Sequence, residues 1–267
     1  MKTPKISIVT PSFNQGPYIE DAIRSVLDQG YPNIEHIIID NCSTDQTAEI
    51  ASRYPHVVFV SEPDEGQSDA INKGFLRATG DIIGWLNADD YYLPGTFGKV
   101  QQIMALPGVD GLYSNVRFID KEGAFTRNLI SHKVVRWLSL FHCYIPSTTF
   151  FFRREIIDRG LLIDKEMHIS MDKDFFAKIL YNGYKLQYVN DFFAAFRWHD
   201  SNKSLDTREV QNIRHKEGLI IFNRYSGRSY TVNDANVKIY REVERMLLVL
   251  RRLLKLQNGR YNYPNLV

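Results

Sequence analysis

Short apolar runs alternate with longer amphipathic segments through the first part of the chain. The β-branched runs predict strands at residues 6–10, 34–40, 57–60 and 81–86. Helices are expected between them, at 44–54, at 68–78 and, between Pro17 and Gly30, over the helically spaced residues Ile19, Ala22, Ile23, Val26 and Leu27. Three crossovers that join four strands predict a largely parallel, buried sheet.

Polar residues follow each of these predicted strands. The strand ends read Thr10-Pro11-Ser12, Asp40-Asn41, Glu62 to Asp64, and Asn87 to Asp90. Because ligands bind outside the carboxyl ends of the strands in open α/β sheets, these segments are the expected place for a site.

The second half of the chain has a less regular pattern. Strands are expected at 111–114 and 149–153, with an aromatic-rich segment between them that either lines a pocket or packs as a flap. A helix at 171–182 and a strand in "FFAAFRW" follow, and then the loop-like "HDSNKS". From about residue 233 onward, a long basic amphipathic pattern predicts a helix of its own.

Composition narrows the class of protein. The 267 residues are 44% hydrophobic, which is ample for a packed core, and the formal charge of +2 gives no basis for nucleic-acid binding. Cys42 and Cys143 cannot form a disulfide framework, so a reducing cytoplasm is the expected compartment. No stretch approaches the ~18 apolar residues of a spanning helix, and we expect a chain that is neither secreted nor threaded through a membrane.

The segment "NADD" at 87–90 places two adjacent carboxylates, Asp89 and Asp90, at a predicted strand end. Such residues form a turn before Pro94-Gly95 without any further function. They also suit a divalent cation, since Mg²⁺ typically takes one or two protein carboxylates and fills its other positions with phosphate and water. The cation would offset the repulsion between the two acids.

Two long segments resemble glycosyltransferase family 2, the inverting enzymes with the GT-A fold, and the resemblance covers about residues 4–205. "SIVTPSFNQGPYIEDAIRSVLDQGYPNIEHIIIDNCSTDQT" is similar to the nucleotide-binding opening of the family, and "SEPDEGQSDAINKGFLRATGDIIGWLNADDYYLPG" to the segment that ends in its acidic motif. The resemblance implies an α/β, Rossmann-like nucleotide-diphospho-sugar transferase fold. The implied central sheet is mostly parallel and flanked by helices. The amphipathic pattern beyond the resemblance predicts a helical C-terminal extension in addition.

The family's donor-site residues carry over to matching positions. The resemblance places Thr10 and Pro11 beside the nucleoside and Asp40 on the base. It implies a nucleotide-diphosphate sugar as donor substrate and a divalent cation, Mg²⁺ or Mn²⁺, as cofactor. Asn87 and Ala88 fall on the donor side of the acidic motif, although many members have Asp at the position of Asn87.

The metal position is assigned in the same way. Asp89 matches the last carboxylate of the acidic motif and is the implied principal metal ligand. His199 lies in "FRWHDSNKS", which resembles the family's "R-x-H-x-x-S-x-S" segment, where the His reaches the metal or the diphosphate. The alternative is an incidental loop histidine, which the matching Arg197, Ser201 and Ser204 make less attractive.

A further departure concerns the donor sugar. Many members have Arg before the Asn of an "N-x-G" step, whereas Ile71 precedes Asn72 here, and Lys73 follows it. Asp69 is our candidate for a contact with a donor-sugar hydroxyl. The alternative is a solvated acid in the first turn of a helix.

Asp172 is the candidate catalytic base. On a helix that begins near Met171, Asp172 lies three and four residues before Phe175 and Phe176, so it points with the apolar stripe. Asp174 falls on the other side and is expected to be solvated. An inward carboxylate could cap the helix or form a buried hydrogen bond. The resemblance of "MDKDFF" to the family's base segment implies instead that Asp172 deprotonates the acceptor hydroxyl, and the first helical turn is expected to help keep it ionised.

Ser147 and Thr148 belong to "IPSTTFFFRR", which resembles the family's acceptor-side segment before the middle strand. A purely structural role for the two residues is equally open.

We therefore expect a catalytic domain at residues 1–205 and a helical extension at 206–267. The catalytic domain comprises a nucleotide-binding half, about 1–110, and an acceptor-binding half, 111–205. The apolar face of the extension, with Met246, Val249 and Leu253 among basic residues, would dock on the core, form a homodimer, or lie on an anionic membrane surface. A peripheral position at the inner face of the cell membrane would suit a lipid-linked saccharide acceptor.

Three hypotheses for function remain. The leading one is an inverting, metal-dependent transfer of a sugar to a saccharide hydroxyl, in bacterial surface polysaccharide assembly. A nucleotidyltransferase of sugar phosphates should open with a Gly-rich phosphate loop, but "PSFNQGPY" contains one Gly. A non-catalytic nucleotide- or carbohydrate-binding module would not need Asp40, Asp89, Asp172 and His199 together.

Overall fold

The computed structural model of the chain describes residues 3–200, 202 and 207–258, with side chains described as far as residue 253. Its strands are β1 (Ile6–Ser12), β2 (Ile34–Asp40), β3 (Val57–Ser61), β4 (Ile82–Trp85), β5 (Tyr91–Tyr92), β6 (Gly111–Ile119), β7 (Phe125–Leu129), β8 (Phe151–Arg153) and β9 (Leu186–Arg197). Its α-helices are α1 (Ile19–Leu27), α2 (Thr47–Ser52), α3 (Gln67–Arg77), α4 (Thr96–Met104), α5 (Glu155–Asp158), α6 (Met171–Tyr181), α7 (Arg208–Ser226) and α8 (Asp234–Asn258). Two 3₁₀ turns, Arg136–Leu140 and Ser147–Thr149, lie before β8.

The strands form one sheet in the order β3-β2-β1-β4-β8-β6-β9-β5, and β7 pairs with β6. The four strands of the first half are parallel to one another, as the sequence pattern predicts. Beyond β4 the sheet is mixed, because β8 runs antiparallel to both β4 and β6 while β9 is parallel to β6. The carboxyl ends of β1, β2 and β4 therefore meet at one edge.

Side chains alternate between the two faces of the sheet and contribute to an apolar layer on each face. On β1, Val9 faces the layer that contains α3 and α6, while Ile6 and Ile8 face the layer that contains α1 and α4. Stacked and edge-to-face aromatic rings, among them Phe75, Phe152 and Phe175, fill the first layer. A fully buried side chain of this size contributes about 1.5–3 kcal/mol to folding.

Gly74 explains how α3 lies so close to the sheet. A Cβ atom at this position would stand 2.2 Å from Cγ1 of Val9 on β1. Only glycine lets the helix backbone approach the strand to this distance.

Helices α7 and α8 come after β9 in the chain. Helix α7 packs on α6, and α8 packs on α7 and reaches α6 through Tyr240. Tyr240 of α8 is buried, and its ring stacks on Phe141 with centroids 5.4 Å apart. Among the described residues, no helix is both long enough and apolar enough to cross a membrane. The extension expected from the basic amphipathic pattern is thus helical, and one of its faces packs on the rest of the chain.

Candidate active site

A cleft of about 430 Å³ opens at the carboxyl ends of the parallel strands. On one side of β1 the chain continues to β2 and β3, and on the other side it continues to β4. The cleft lies at this change of direction in the strand order, which is the expected ligand position in an α/β sheet. The residues along its wall include Pro11, Ser12, Asn41, Gln67, Asn87, Ala88, Asp89, Ser147, His168, Met171, Asp172, His199 and Asn202.

The acidic turn separates its two carboxylates. Asp89 faces the cleft, and its Oδ2 lies 3.0 Å from Nε2 of His199 and 3.2 Å from Nδ2 of Asn202. The His199 ring is held from behind by Tyr18, on which it stacks with centroids 4.8 Å apart. Asp89 and His199 thus present one carboxylate oxygen and one imidazole nitrogen at the same point of the wall.

Asp90 is completely buried below the turn. It accepts hydrogen bonds from Oγ1 of Thr148 (2.8 Å), the backbone N–H of Arg197 (2.9 Å) and Nδ2 of Asn87 (3.0 Å). Burial, together with the neighbouring charge of Asp89, raises the pKa of Asp90 well above its ordinary value. Asp90 therefore fixes the shape of the turn, and Thr148 has a structural role in holding it.

Asn87 is built into the same turn. Its Oδ1 accepts from Nε1 of Trp85 (3.0 Å) and from Nε2 of Gln67 (3.2 Å), while its Nδ2 donates to Asp90. Because a carbonyl oxygen has two lone pairs, both acceptor positions of this amide are in use. A contact between Asn87 and a donor substrate stays a prediction.

Asp172 enters the cleft from the first turn of α6. It is half-buried, Oδ1 accepts from the backbone N–H of Lys173 (2.7 Å), and Sγ of Cys143 donates to Oδ2 (3.4 Å). Burial raises the pKa of Asp172 above its ordinary value, although these hydrogen bonds oppose the effect. The expectation that the first helical turn helps to keep Asp172 ionised stays a prediction. A raised pKa nevertheless suits a general base that works near neutral pH.

The expectation that Asp174 is solvated was also wrong. Its side chain is completely buried and accepts from Nη1 of Arg224 (2.8 Å) and from the Tyr225 hydroxyl (3.2 Å), both on α7. The physical reason is that α7 covers the face of α6 that its own periodicity leaves polar. Helix α6 is consequently enclosed on nearly all sides.

A family model described as "Glycosyl transferase family 2" matches residues 7–179, about two thirds of the chain. The chain belongs to glycosyl transferase family 2. An uncharacterised glycosyltransferase of Nostoc sp. is 24% identical to it over 88% of this chain and 76% of the relative. The putative teichuronic acid biosynthesis glycosyltransferase TuaG of Bacillus subtilis is 40% identical over 38% of this chain and 42% of its own length.

Solved structures share the fold. This glycosyltransferase superposes on S. aureus TarS in complex with UDP-GlcNAc with a TM-score of 0.66, at 16% identity over 88% of this chain and 70% of that one. The mannosyltransferase PcManGT of Pyrobaculum calidifontis, in complex with GDP-Man and Mn²⁺, gives a TM-score of 0.65 at 18% identity, over 86% and 66% of the two chains. The family 2 chain therefore has the predicted GT-A fold.

The residues at the Asp89 turn fit a cation that is shared with a substrate. Within residues 3–200, 202 and 207–258, no group of three or more His, Cys, Asp and Glu side chains could hold a metal by itself. Asp89 supplies an oxygen donor that suits Mn²⁺ or Mg²⁺ when a diphosphate and water complete the coordination, and the imidazole nitrogen of His199 favours Mn²⁺ because Mg²⁺ prefers oxygen ligands.

Two predicted nucleotide residues of this glycosyltransferase lie behind the cleft wall. The buried Oγ1 of Thr10 lies 3.0 Å from Nε2 of His36 on the neighbouring strand. Asp40, also buried, accepts from the N–H (2.8 Å) and hydroxyl (2.5 Å) of Ser43 and from the Ser61 hydroxyl (3.2 Å). Asp40 thus fixes the loop after β2, whose Asn41 reaches the wall.

Asp69 does not reach the wall. Its carboxylate pairs with Nζ of Lys73 at 3.2 Å and with Nζ of Lys165 at 3.3 Å, and it accepts from the backbone N–H of Glu65. The two lysines and the N–H of Glu65 use three acceptor positions of this carboxylate, so Asp69 stabilises the first turn of α3. A contact between Asp69 and a donor-sugar hydroxyl stays a prediction.

Asn202 takes part in the site although no motif indicated it, and Arg197 of the "R-x-H" motif supports the Asp89 turn. Asn202 lies beside Asp89, and its Oδ1 accepts from the backbone N–H of His199 (2.6 Å). The buried Arg197 donates to the carbonyl of Asp89 (3.0 Å) and pairs with Asp21 at 2.6 Å. The three-residue spacing from His199 could have indicated Asn202. Ser201 and Ser204 lie outside the described residues.

Proposed function

We propose that the chain is an inverting, metal-dependent glycosyltransferase that moves a sugar from a nucleoside diphosphate to a saccharide hydroxyl. The observation that carries this proposal is that the Asp89–His199 pair and the half-buried Asp172 line one cleft at the strand ends. Such an arrangement separates a place for a diphosphate from a place for a proton acceptor, which single displacement requires.

Asp172 acts as the base. It accepts the proton of the acceptor hydroxyl while that oxygen attacks the anomeric carbon, and the bond from this carbon to the diphosphate oxygen breaks with its electron pair leaving on the diphosphate. Attack opposite the leaving group inverts the anomeric configuration. Asp89 and His199 would hold a divalent cation, which would supply positive charge to offset that of the departing diphosphate.

The donor would lie along the β1, β2 and β4 ends. Pro11 and Asn41 form the wall where the nucleoside would sit, and Ala88 lies beside Asp89 where the diphosphate would pass. Asp40 acts by holding the loop that carries Asn41. The UDP-GlcNAc bound by TarS and the GDP-Man bound by PcManGT support either a uridine or a guanosine donor. The similarity to TuaG, a putative teichuronic acid biosynthesis glycosyltransferase, supports a role in surface polysaccharide assembly.

The exposed face of helix α8 supports the proposal that the acceptor is held at a membrane. Its exposed apolar row, Ile239, Met246, Val249 and Leu253, occupies the face away from the buried Tyr240. A row of exposed basic residues spaced seven apart runs beside it and consists of Lys238, Arg245 and Arg252. Glu242 lies on the same face and pairs with Arg245 at 3.1 Å, so one of the three basic side chains is partly neutralised. An apolar row with a basic border fits an anionic lipid surface. We propose that this face of α8 binds an anionic membrane surface and that the acceptor is a lipid-linked saccharide.

Vesicle sedimentation tests the lipid surface. Phosphatidylglycerol vesicles should carry down the chain, phosphatidylcholine vesicles should not, and the double substitution Met246→Glu/Val249→Glu should abolish binding. Val58→Glu, at an exposed position on β3, is the control. If the double variant instead converts a dimer to a monomer in light scattering and vesicle binding is absent throughout, the row binds a second copy.

The catalytic proposal is tested first by binding. At a concentration about 100 times Kd, a ligand stabilises the folded state by about 2.7 kcal/mol, so UDP or GDP with MnCl₂ should raise Tm measurably. Asp89→Ala should remove the Mn²⁺-dependent part of this shift, whereas Asp28→Ala, at an exposed position, should not. A Tm increase without turnover of UDP-GlcNAc or GDP-Man on any of a panel of saccharides would favour a binding module.

A further inference from the structure

The C-terminal helices hold the segment that carries Asp172, which we call the base segment and define as residues 168–174. On α7, the buried carboxylate of Glu217 accepts three short backbone hydrogen bonds from this segment. The donors are the N–H groups of His168 (2.7 Å), Ile169 (3.0 Å) and Ser170 (2.6 Å). Hydrogen bonds to an ionised acceptor are about twice as strong as neutral ones, so Glu217 fixes the backbone directly before α6.

Helix α8 holds the next part of the segment. The buried Lys173 donates from Nζ to the Tyr240 hydroxyl (2.7 Å) and to the carbonyl of Phe141 (3.1 Å), and the Tyr240 hydroxyl donates to the carbonyl of Leu140 (2.8 Å). A Cβ atom at Gly218 would stand 2.7 Å from the Tyr240 ring, so α7 and α8 meet at a glycine to make this arrangement.

The contacts follow one pattern. The backbone at 168–170 binds Glu217, the side chain of Lys173 binds Tyr240, and the side chain of Asp174 binds Arg224. Asp172 lies among these restrained residues, yet its own carboxylate faces the cleft. The extension therefore contacts residues on both sides of Asp172 in the chain, while Asp172 itself lines the cleft.

We propose that Glu217 and Tyr240 are positioning residues for Asp172, so that the C-terminal helices complete the acceptor half of the active site. This inference rests on the proposed function, which assigns Asp172 as the base. Positioning matters because a displacement of about 1 Å at a reacting group can lower the rate about 100-fold.

Cys143 offers a reporter that needs no substrate. Cys143 is exposed as a residue, and its Sγ donates to Oδ2 of Asp172 at 3.4 Å. Burial of Sγ, followed by the Asp172 carboxylate, raises the pKa of Cys143 well above its ordinary value, and Lys173 and Arg251 are the cationic groups that oppose this. Displacement of Asp172 should therefore lower the pH at which the thiol ionises.

The test measures the rate of Cys143 alkylation by iodoacetamide against pH, in the full chain with Cys42→Ser. Glu217→Gln and Tyr240→Phe should each shift the ionisation midpoint to lower pH, which raises the rate severalfold at pH 8. Exposed positions provide matched controls, Glu209→Gln and Tyr230→Phe, which should leave the profile unchanged. Loosening without displacement of Asp172 would raise the plateau rate but leave the midpoint in place, and this result would overturn the proposal.

Two measurements complete the design. Tyr240→Phe retains the ring stacking on Phe141 and serves as the folded test if Glu217→Gln does not fold. In transfer from UDP-GlcNAc or GDP-Man, both variants should lower kcat about 10- to 100-fold with donor KM unchanged. If Asp172→Asn transfers sugar normally, the proposed function fails. If Asp172→Asn is inactive while Glu217→Gln and Tyr240→Phe behave like their controls in both assays, only this inference fails.

Discussion

Removal of Arg224 should expose how strongly the C-terminal helices stabilise the catalytic fold. The perturbation is Arg224→Met, which keeps an unbranched apolar stem but removes the guanidinium that lies 2.8 Å from Oδ1 of the completely buried Asp174. A second contact of Arg224, with Oδ2 of Asp164 at 2.8 Å, is lost as well. The carboxylate of Asp174 is then left with the Tyr225 hydroxyl and, at 3.6 Å, with Nζ of Lys178.

The magnitude follows from burial. Removal of one partner from a fully buried ion pair costs about 3–5 kcal/mol. Arg224 retains 35% of its side-chain exposure, and Lys178 still compensates part of the charge, so we expect a loss of ~2 kcal/mol in the free energy of unfolding. For a chain of this size, that loss lowers Tm by about 4–8 °C.

Urea denaturation followed by circular dichroism measures the effect, and a double-mutant cycle isolates the pair. The double variant Arg224→Met/Asp174→Asn should lose less free energy of unfolding than the two single variants lose together. The difference, which is the coupling free energy, should be about 1–2 kcal/mol. Arg159→Met, which breaks an exposed pair with Glu155, is the control and should leave the midpoint unchanged. Additive single changes, or an Arg224→Met midpoint equal to that of the control, would refute the reasoning.

Two further predictions concern packing and pH. Gly74→Ala should lower the free energy of unfolding by ~2 kcal/mol because its Cβ would stand 2.2 Å from Cγ1 of Val9. Gly98→Ala, at an open helical position, is the control and should be neutral or stabilising. Urea denaturation midpoints measure both effects, and equal midpoints in the two variants would contradict the prediction. Burial, and to a lesser extent His56, lowers the pKa of His36 to about 3, so the unfolded chain takes up a proton that the folded chain does not. The free energy of unfolding should therefore fall as pH drops below about 6.5, and His36 should account for ~1.4 kcal/mol of the loss between pH 7.5 and 5.5. His36→Asn should remove this part of the pH dependence. Equal pH dependence in the wild type and His36→Asn would contradict the prediction.

The sequence predicted the parallel half of the fold because local periodicity determines it. The apolar runs at β1, β2 and β4 and the helical spacing in α1 and α3 are strong signals within single segments. By contrast, β5 and β7 are short or exposed, and the insertion of β8 between β4 and β6 depends on long-range pairing that no segment encodes alone.

The candidate site shows the same contrast between features that single segments encode and features that depend on long-range packing. Strand ends and motifs predicted that Asp89, His199 and Asp172 would meet, and the structure places all three on the cleft wall. The burial of Asp174 and the internal bonding of Asn87 could not be read from spacing. Both depend on what other elements place beside them, namely α7 over α6 and Trp85 beside the turn.

The assignment of Asp172 as base is tested most directly by the rate of sugar transfer in Asp172→Asn. The amide keeps the shape of the side chain but cannot accept the proton, so kcat should fall about 100- to 10,000-fold. The affinity for UDP or GDP with Mn²⁺ should remain that of the wild type, since Asp172 does not hold the diphosphate. A variant that transfers sugar within threefold of the wild-type rate would contradict the account.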